Sequence, residues 1–256
     1  MRGDDPVLGP ISMTDIVRYA GASGDLNPLH HDPEFAARGG YDRPVVMGAL
    51  SSGWLAARLT PEYRRGPLTV TIAYRRPVML GEVLRLDVTA TGAVATRIGD
   101  GDETVVVSTD VEEKTEPAAA EGTPLVTPYQ FVVEAGAVRE FRRAVLADQP
   151  WAPIVPVTFP VTASRWRPND KSAVRLLGFD YRRMLHSRSI FRYVDGPLVL
   201  GERLQVWEHH GPRSTKTRRD GSVMTVGSVC LTLKDGDEVR AQMESEMVEL
   251  PERSSL

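Results

Sequence analysis

Cysteine is almost missing from this chain of 256 residues: Cys230 stands alone. An internal disulfide and any multi-cysteine zinc site are therefore excluded. Cys230 sits in the apolar run Ser-Val-Cys-Leu-Thr-Leu, which predicts a buried, unreactive thiol. No apolar run approaches the roughly 18 residues of a membrane span. The opening MRGDDPVLGP has no apolar stretch of the kind a secretion signal needs, so a cytoplasmic location is expected. An excess of one charge is also lacking. Lys and Arg number 31 against 34 Asp and Glu, a net charge of −3, which argues against a nucleic-acid partner. What is present, 41% hydrophobic and 25% charged residues, is ordinary for a soluble globular protein and excludes wholesale disorder. At roughly 150 residues per domain, the length predicts one to two domains.

An internal repeat organises the rest. Residues 72–88 read IAYRRPVMLGEVLRLDV and residues 191–207 read FRYVDGPLVLGERLQVW. Both carry P-x-x-x-G-E-x-L, as Pro77, Gly81, Glu82 and Leu84 and again as Pro197, Gly201, Glu202 and Leu204, an offset of 120 (197 − 77). Upstream, TDIVRYAGASGDLNP (14–28) and GAVREFRRAVLADQP (136–150) stand 122 apart (136 − 14). Both upstream segments have helical spacing. Ile16, Val17 and Ala20 make one apolar face, and Val138, Phe141 and Val145 the other, with Ser12 or Thr14 as the first helix's cap. The polar stretch EEKTEPAAAEGTP (112–124) separates the copies. The reading is two similar domains, 1–114 and 125–256, joined by a linker at 115–124.

Within the first copy an apolar helix is predicted over 48–59, followed by strands at 68–76, 82–93 and 104–113. In the second, strands are predicted at 187–194, 202–210, 222–233 and 238–249. Three prolines in 153–167 leave room for only a short central helix there. Strands gathered around one helix imply an α+β fold with an antiparallel sheet on that helix. Pairing the two halves would extend the sheet and cover both exposed edges.

The segment Ser23-Gly24-Asp25-Leu26-Asn27-Pro28-Leu29-His30 carries the chemistry. Gly24 suits a left-handed helix cap. Asn27-Pro28 forces a turn able to bring His30 back toward Asp25. A carboxylate and an imidazole on one turn form an acid/base pair. The same residues also read as an Asx-turn made by Asn27 and a solvated loop at His30-His31-Asp32. No metal site is read here, because adjacent histidines point apart and no further ligand cluster is visible. His186, His209 and His210 read as structural or exposed. Trp54, Trp151, Trp166 and Trp207 read as packing residues, with an acyl tunnel as the alternative.

The string YAGASGDLNPLHHDPEFAA (19–37) resembles the signature of the MaoC-like, (R)-specific enoyl-CoA hydratase family. The likeness continues through Gly40, Arg43-Pro44, Val45-Val46, Gly48, Arg76-Pro77-Val78 and Gly81-Glu82. Residues 130–250 resemble, more weakly, the non-catalytic half of MaoC-like dehydratases, including the heterodimeric mycobacterial (3R)-hydroxyacyl dehydratases. The resemblance implies a double hot-dog: two antiparallel sheets, each wrapped around a central helix, joined into one pseudo-dimer. It implies a hydro-lyase acting on trans-2-enoyl or (3R)-hydroxyacyl thioesters of coenzyme A or acyl-carrier protein, with no cofactor, metal or membrane. A homodimer of double hot-dogs is an assembly it admits.

By the same resemblance, Asp25 and His30 are the catalytic pair and the Gly48 backbone N–H is the oxyanion donor. Asn27 supports the turn, and Ser51 and Ser52 support the pocket. Arg75 and Arg76 lie on a strand end, where they would meet a phosphate of the thioester's carrier. Two positions depart from the family: Met47 precedes the glycine where many members carry histidine, and Ala56 falls where characterised hydratases carry serine. At the offset of 122, Asp25 maps to Ala147 and His30 to Ala152, so one active site per chain is expected. A non-catalytic acyl-thioester-binding protein remains the competing reading. So does a different thioester reaction in the same pocket, either hydrolysis or internal addition of a hydroxyl to the enoyl group.

Overall fold

Helix α1 (Met13–Ser23) begins where its sequence allows. Ser12 accepts from the Asp15 amide while the Asp15 carboxylate accepts from Ser12 N, a reciprocal cap. The helix stops at Gly24, whose φ of 82° is the left-handed conformation glycine tolerates. The computed structural model describes residues 7–59, 66–89, 91–99, 101–116, 124–146, 155–168, 173–218 and 221–251. In the first half, β1 (Val7–Leu8), α1, α2 (Pro33–Arg38) and α3 (Gly48–Leu59) precede β2 (Leu68–Tyr74), β3 (Val83–Thr89), β4 (Gly92–Gly99) and β5 (Asp102–Glu112). The second half contains β6 (Tyr129–Val132), α4 (Ala135–Ala144), a 3₁₀ helix at Phe159–Trp166, and α5 (Ala173–Leu176). Its strands continue as β7 (Met184–Tyr193), β8 (Arg203–His210), β9 (Ser214–Thr217), β10 (Val223–Asp235) and β11 (Glu238–Glu249).

Among the described residues the two sheets join into a single antiparallel one of eleven strands, in the order β1-β3-β4-β5-β2-β7-β11-β10-β8-β6, with β9 on β10. The order is palindromic about the β2–β7 pair, where Val70 faces Phe191 and Ile72 faces Ser189. That pairing removes the open edge each half would otherwise present. The repeated turn is repeated in its hydrogen bonds. Gly81 and Gly201 adopt φ of 89° and 88°. Glu82 and Glu202 each accept from the backbone N–H three residues earlier, that of Met79 or Val199. Gly81 N donates to Ile11 O and Gly201 N to Val133 O, both at 2.9 Å.

Helix α3 is the centre of the first half, with Leu50, Trp54 and Leu55 fully enclosed by sheet. In the second half the central helix is short, as its prolines led one to expect: the proline-bearing Phe159–Trp166 segment is a 3₁₀ helix of eight residues. The prolines remove the amide donors a longer α-helix would need. The segment read as one strand over 82–93 is two, because Thr89 pairs with Gly92 across a chain reversal. A Cβ at Gly92 would stand 1.9 Å from Thr109 O, so the tight pairing requires glycine. Strands β1, β6 and β9 have no counterpart among the predicted ones, and most of β4 lies beyond them. Val17, expected on the apolar face of α1, is 58% exposed. Cys230 is partly buried, and burial raises its pKa to about 11, leaving a protonated thiol. Among the described residues no helix is long and apolar enough to cross a membrane.

Candidate active site

Two turns after α1 build the site. Asn27 caps a single 3₁₀ turn at Pro28–His30 by accepting from Leu29 N at 3.1 Å. Its own N–H donates to Asp25 Oδ1 at 3.2 Å. Ser23, buried, donates to Tyr19 O and accepts from Asp25 N, pinning the start of the loop. The result brings His30 Nε2 to 3.7 Å from Asp25 Oδ2. The His30 Nδ1 lies 2.6 Å from Val45 O, and a carbonyl can only accept, so Nδ1 carries a hydrogen. Nε2 is thereby aimed at the carboxylate. Both side chains stay reachable, Asp25 at 33% and His30 at 11% exposure. The Asx-turn made by Asn27 is present, and the same turn brings the Asp25 and His30 side chains together.

Asp25 and His30 face a cavity of about 1080 Å³. It passes the N-terminus of α3, where Gly48 and Ala49 line it, and runs beneath the second half of the sheet. Strand register explains its far wall. Phe191, Met243 and Leu231 stand in one cross-strand row that ends at Glu208, and all four line the cavity. Val161 and Ser164 of the 3₁₀ helix line this extension. Beneath the row's end, Glu208 accepts from Tyr129 and is paired with the buried Arg167.

The supporting residues divide. Ser51 lines the cavity, but its hydroxyl bonds back to the carbonyls of Met47 and Gly48. Ser52 bonds Tyr74 Oη at 3.1 Å, and Tyr74 Oη meets Ser189 Oγ at 3.2 Å. Arg75 and Arg76 are exposed at one mouth, Arg75 donating to Ser108 Oγ at 3.1 Å. Trp54 is buried in the core, Trp166 packs edge-on to Phe131, and Lys234 sits over Trp207. None of these three lines the cavity. Trp151, Ala147 and Ala152 lie outside the described residues.

Residues 5–116 match the family model of the MaoC like domain, and residues 119–241 match that of the FAS1-like dehydratase domain region. The amino-terminal half is a MaoC-like domain. An (R)-specific enoyl-CoA hydratase of Aeromonas caviae is 35% identical over 81 residues, which span 30% of this chain and 60% of that enzyme. A conserved hypothetical protein of Mycobacterium tuberculosis, described as a double hotdog fold, superimposes with a TM-score of 0.60 at 13% identity. That superposition covers 96% of this chain and 94% of the other. A MaoC domain protein from Chloroflexus aurantiacus gives 0.58 at 11% identity, covering 98% and 96%. The fold is the double hot-dog.

The MaoC-like half does not build the cavity alone. His186, read from sequence as structural or exposed, lines it together with Asp25 and His30. Its ring lies 5.5 Å, centroid to centroid, from that of Tyr74. Burial pushes the His186 pKa down to about 4, with Asp25 opposing that shift and His30 adding to it. Tyr74, whose hydroxyl is pushed up by burial, was likewise not singled out, nor was Ser189. No local motif marks these residues, because strand pairing across the halves places them. Arg165 of the second half donates to Ala22 O at 2.8 Å and covers the end of α1, so the second half also holds the loop that carries Asp25.

Proposed function

We propose that this protein hydrates trans-2-enoyl thioesters, and in reverse dehydrates (3R)-hydroxyacyl thioesters, carried on coenzyme A or acyl-carrier protein. The carrying observation is the Asp25–His30 pair, 3.7 Å apart on a capped turn at the wall of a cavity large enough for an acyl chain. Catalysis is assigned to domain 1–114, with 125–256 as the second hot-dog and 115–124 as the linker.

A water held between Asp25 Oδ2 and His30 Nε2 attacks C3 of the enoyl group. Asp25 takes its proton, and the His30 imidazolium gives a proton to C2. The pair thus keeps its proton count, and transfer across the gap resets it for the next turnover. Run backwards, the same steps expel water. Charge that builds on the thioester oxygen meets the Gly48 amide, because the first N–H groups of a helix have no intrahelical acceptor and the dipole there is positive. Asn27 holds Asp25 and the 3₁₀ turn in place. Arg75 and Arg76, exposed at the mouth, suit the phosphates of the carrier.

The test is incubation with crotonyl-CoA and longer trans-2-enoyl-CoAs. Loss of enoyl absorbance with retention of the thioester supports the proposal. Release of free thiol would mean hydrolysis instead, and saturable binding with no turnover would leave a binding protein.

A further inference from the structure

The thioester oxygen needs more than one donor if charge is to collect on it, and the Gly48 amide supplies one. The wall facing Gly48 comes from the other half of the molecule. A Cβ built on Gly48 would stand 3.5 Å from His186 Cβ and 3.1 Å from the Tyr74 ring. The ladder between β7 and β11 slips by one residue here: Arg188 faces Glu246, but His186 faces Met247. The bulge breaks strict alternation, so His186 lines the cavity along with Ser189 and Phe191. Tyr74, tied through its hydroxyl to Ser52 and Ser189, forms a fixed platform for the imidazole. Among the described residues the His186 ring makes no hydrogen bond, so its nitrogens have none to give up on meeting a ligand.

Resting on the reaction proposed above, we propose that His186 donates a hydrogen bond to the thioester carbonyl oxygen beside the Gly48 amide. The oxyanion site is then built across both halves, and the half that lacks the acid/base pair still contributes a catalytic residue. Burial together with the nearby His30 keeps the ring uncharged near neutral pH. An uncharged imidazole has one N–H to give. Its weak basicity makes it a poor proton acceptor, a role the Asp25–His30 pair already fills. The positive end of the α3 dipole beside it further disfavours an imidazolium.

The experiment uses a dienoyl thioester, 2,4-hexadienoyl-CoA, whose absorbance moves to longer wavelength when its carbonyl is polarised. Spectra are recorded in the Asp25→Asn background, so that turnover does not consume the ligand. Steady-state rates on crotonyl-CoA are measured in the otherwise native chain. His186→Ala is expected to abolish most of the red shift and to lower kcat about 100- to 1000-fold with little change in KM, as removal of one oxyanion donor does. His186→Gln, which restores an N–H of similar reach, is expected to recover part of both and serves if the alanine variant does not fold. The proposal is overturned if the Asp25→Asn protein shows no red shift. It is equally overturned if His186→Ala keeps the shift, whatever happens to kcat. If crotonyl-CoA is not hydrated by the native chain but the shift still depends on His186, the hydratase reading fails and the carbonyl donor stands.

Discussion

Asp25 and His30 sit close enough to share one solvent molecule, and each has a hydrogen bond that leaves one reactive atom pointed at the other. Asp25→Asn and His30→Ala are each expected to lower kcat about 100- to 10,000-fold on crotonyl-CoA, the range for a general acid or base. The double variant should be little worse than either single one, because the two act as a unit. Steady-state rates on the three proteins check this. His186 adds a pH signature. Its folded pKa is about 4 against an ordinary 6.5, so between those values the unfolded chain binds more protons than the folded one. The native state therefore loses stability as pH falls from about 6.5 to 4. His186→Gln should flatten that part of a urea-midpoint profile. Asp25 and His30 were legible in sequence because a turn brings together residues five apart. His186 was not, since its neighbours Gly48 and Tyr74 lie more than a hundred positions away.

Helix ends hold the site's elements in place. The Asp25 loop leaves α1 at Gly24, where a Cβ would stand 2.6 Å from Arg165 Cγ in addition to meeting an unfavourable φ. Gly24→Ala is expected to cost about 1 kcal/mol or more of stability and to loosen the loop. Chemical denaturation and the rate on crotonyl-CoA should fall together. Ser12→Ala removes only the cap at the far end of α1, costs a comparable ~1 kcal/mol, and should leave the rate on crotonyl-CoA largely intact. The helices α1 and α3 and the repeated Gly-Glu turn were legible because periodicity, caps and glycine act within a few residues. The split of 82–93 into two strands was not, since β-branched and apolar residues run on through the reversal. The contact that forces Gly92 comes from Thr109, on another strand.

The molecule as a whole is two similar halves fused along β2 and β7, and that seam decides what each half can do. Tyr19 of α1 meets Phe141 of α4 at 5.7 Å, and Arg165 caps α1 from across the seam. Residues 1–116 expressed alone would bare the β2 edge and the Tyr19 face. They are expected to self-associate or aggregate, which light scattering would show. The cavity closes on the buried Arg167–Glu208 pair. Arg167→Met alone leaves a buried carboxylate without its cation and is expected to cost about 3–5 kcal/mol, read from denaturant midpoints. Arg167→Met combined with Glu208→Leu should recover most of that, because removing both charges removes the burden of burying either.

Duplication, the capped turn with Asp25 and His30, and the apolar helix at 48–59 could all be read along the chain, because each rests on interactions within one turn or one repeat. The shared sheet, the cavity under the second half and the placing of His186 against Gly48 came from pairing between strands far apart in sequence. Such pairing is set by register and by what fills the space beneath the sheet, and neither leaves a local pattern in the order of residues.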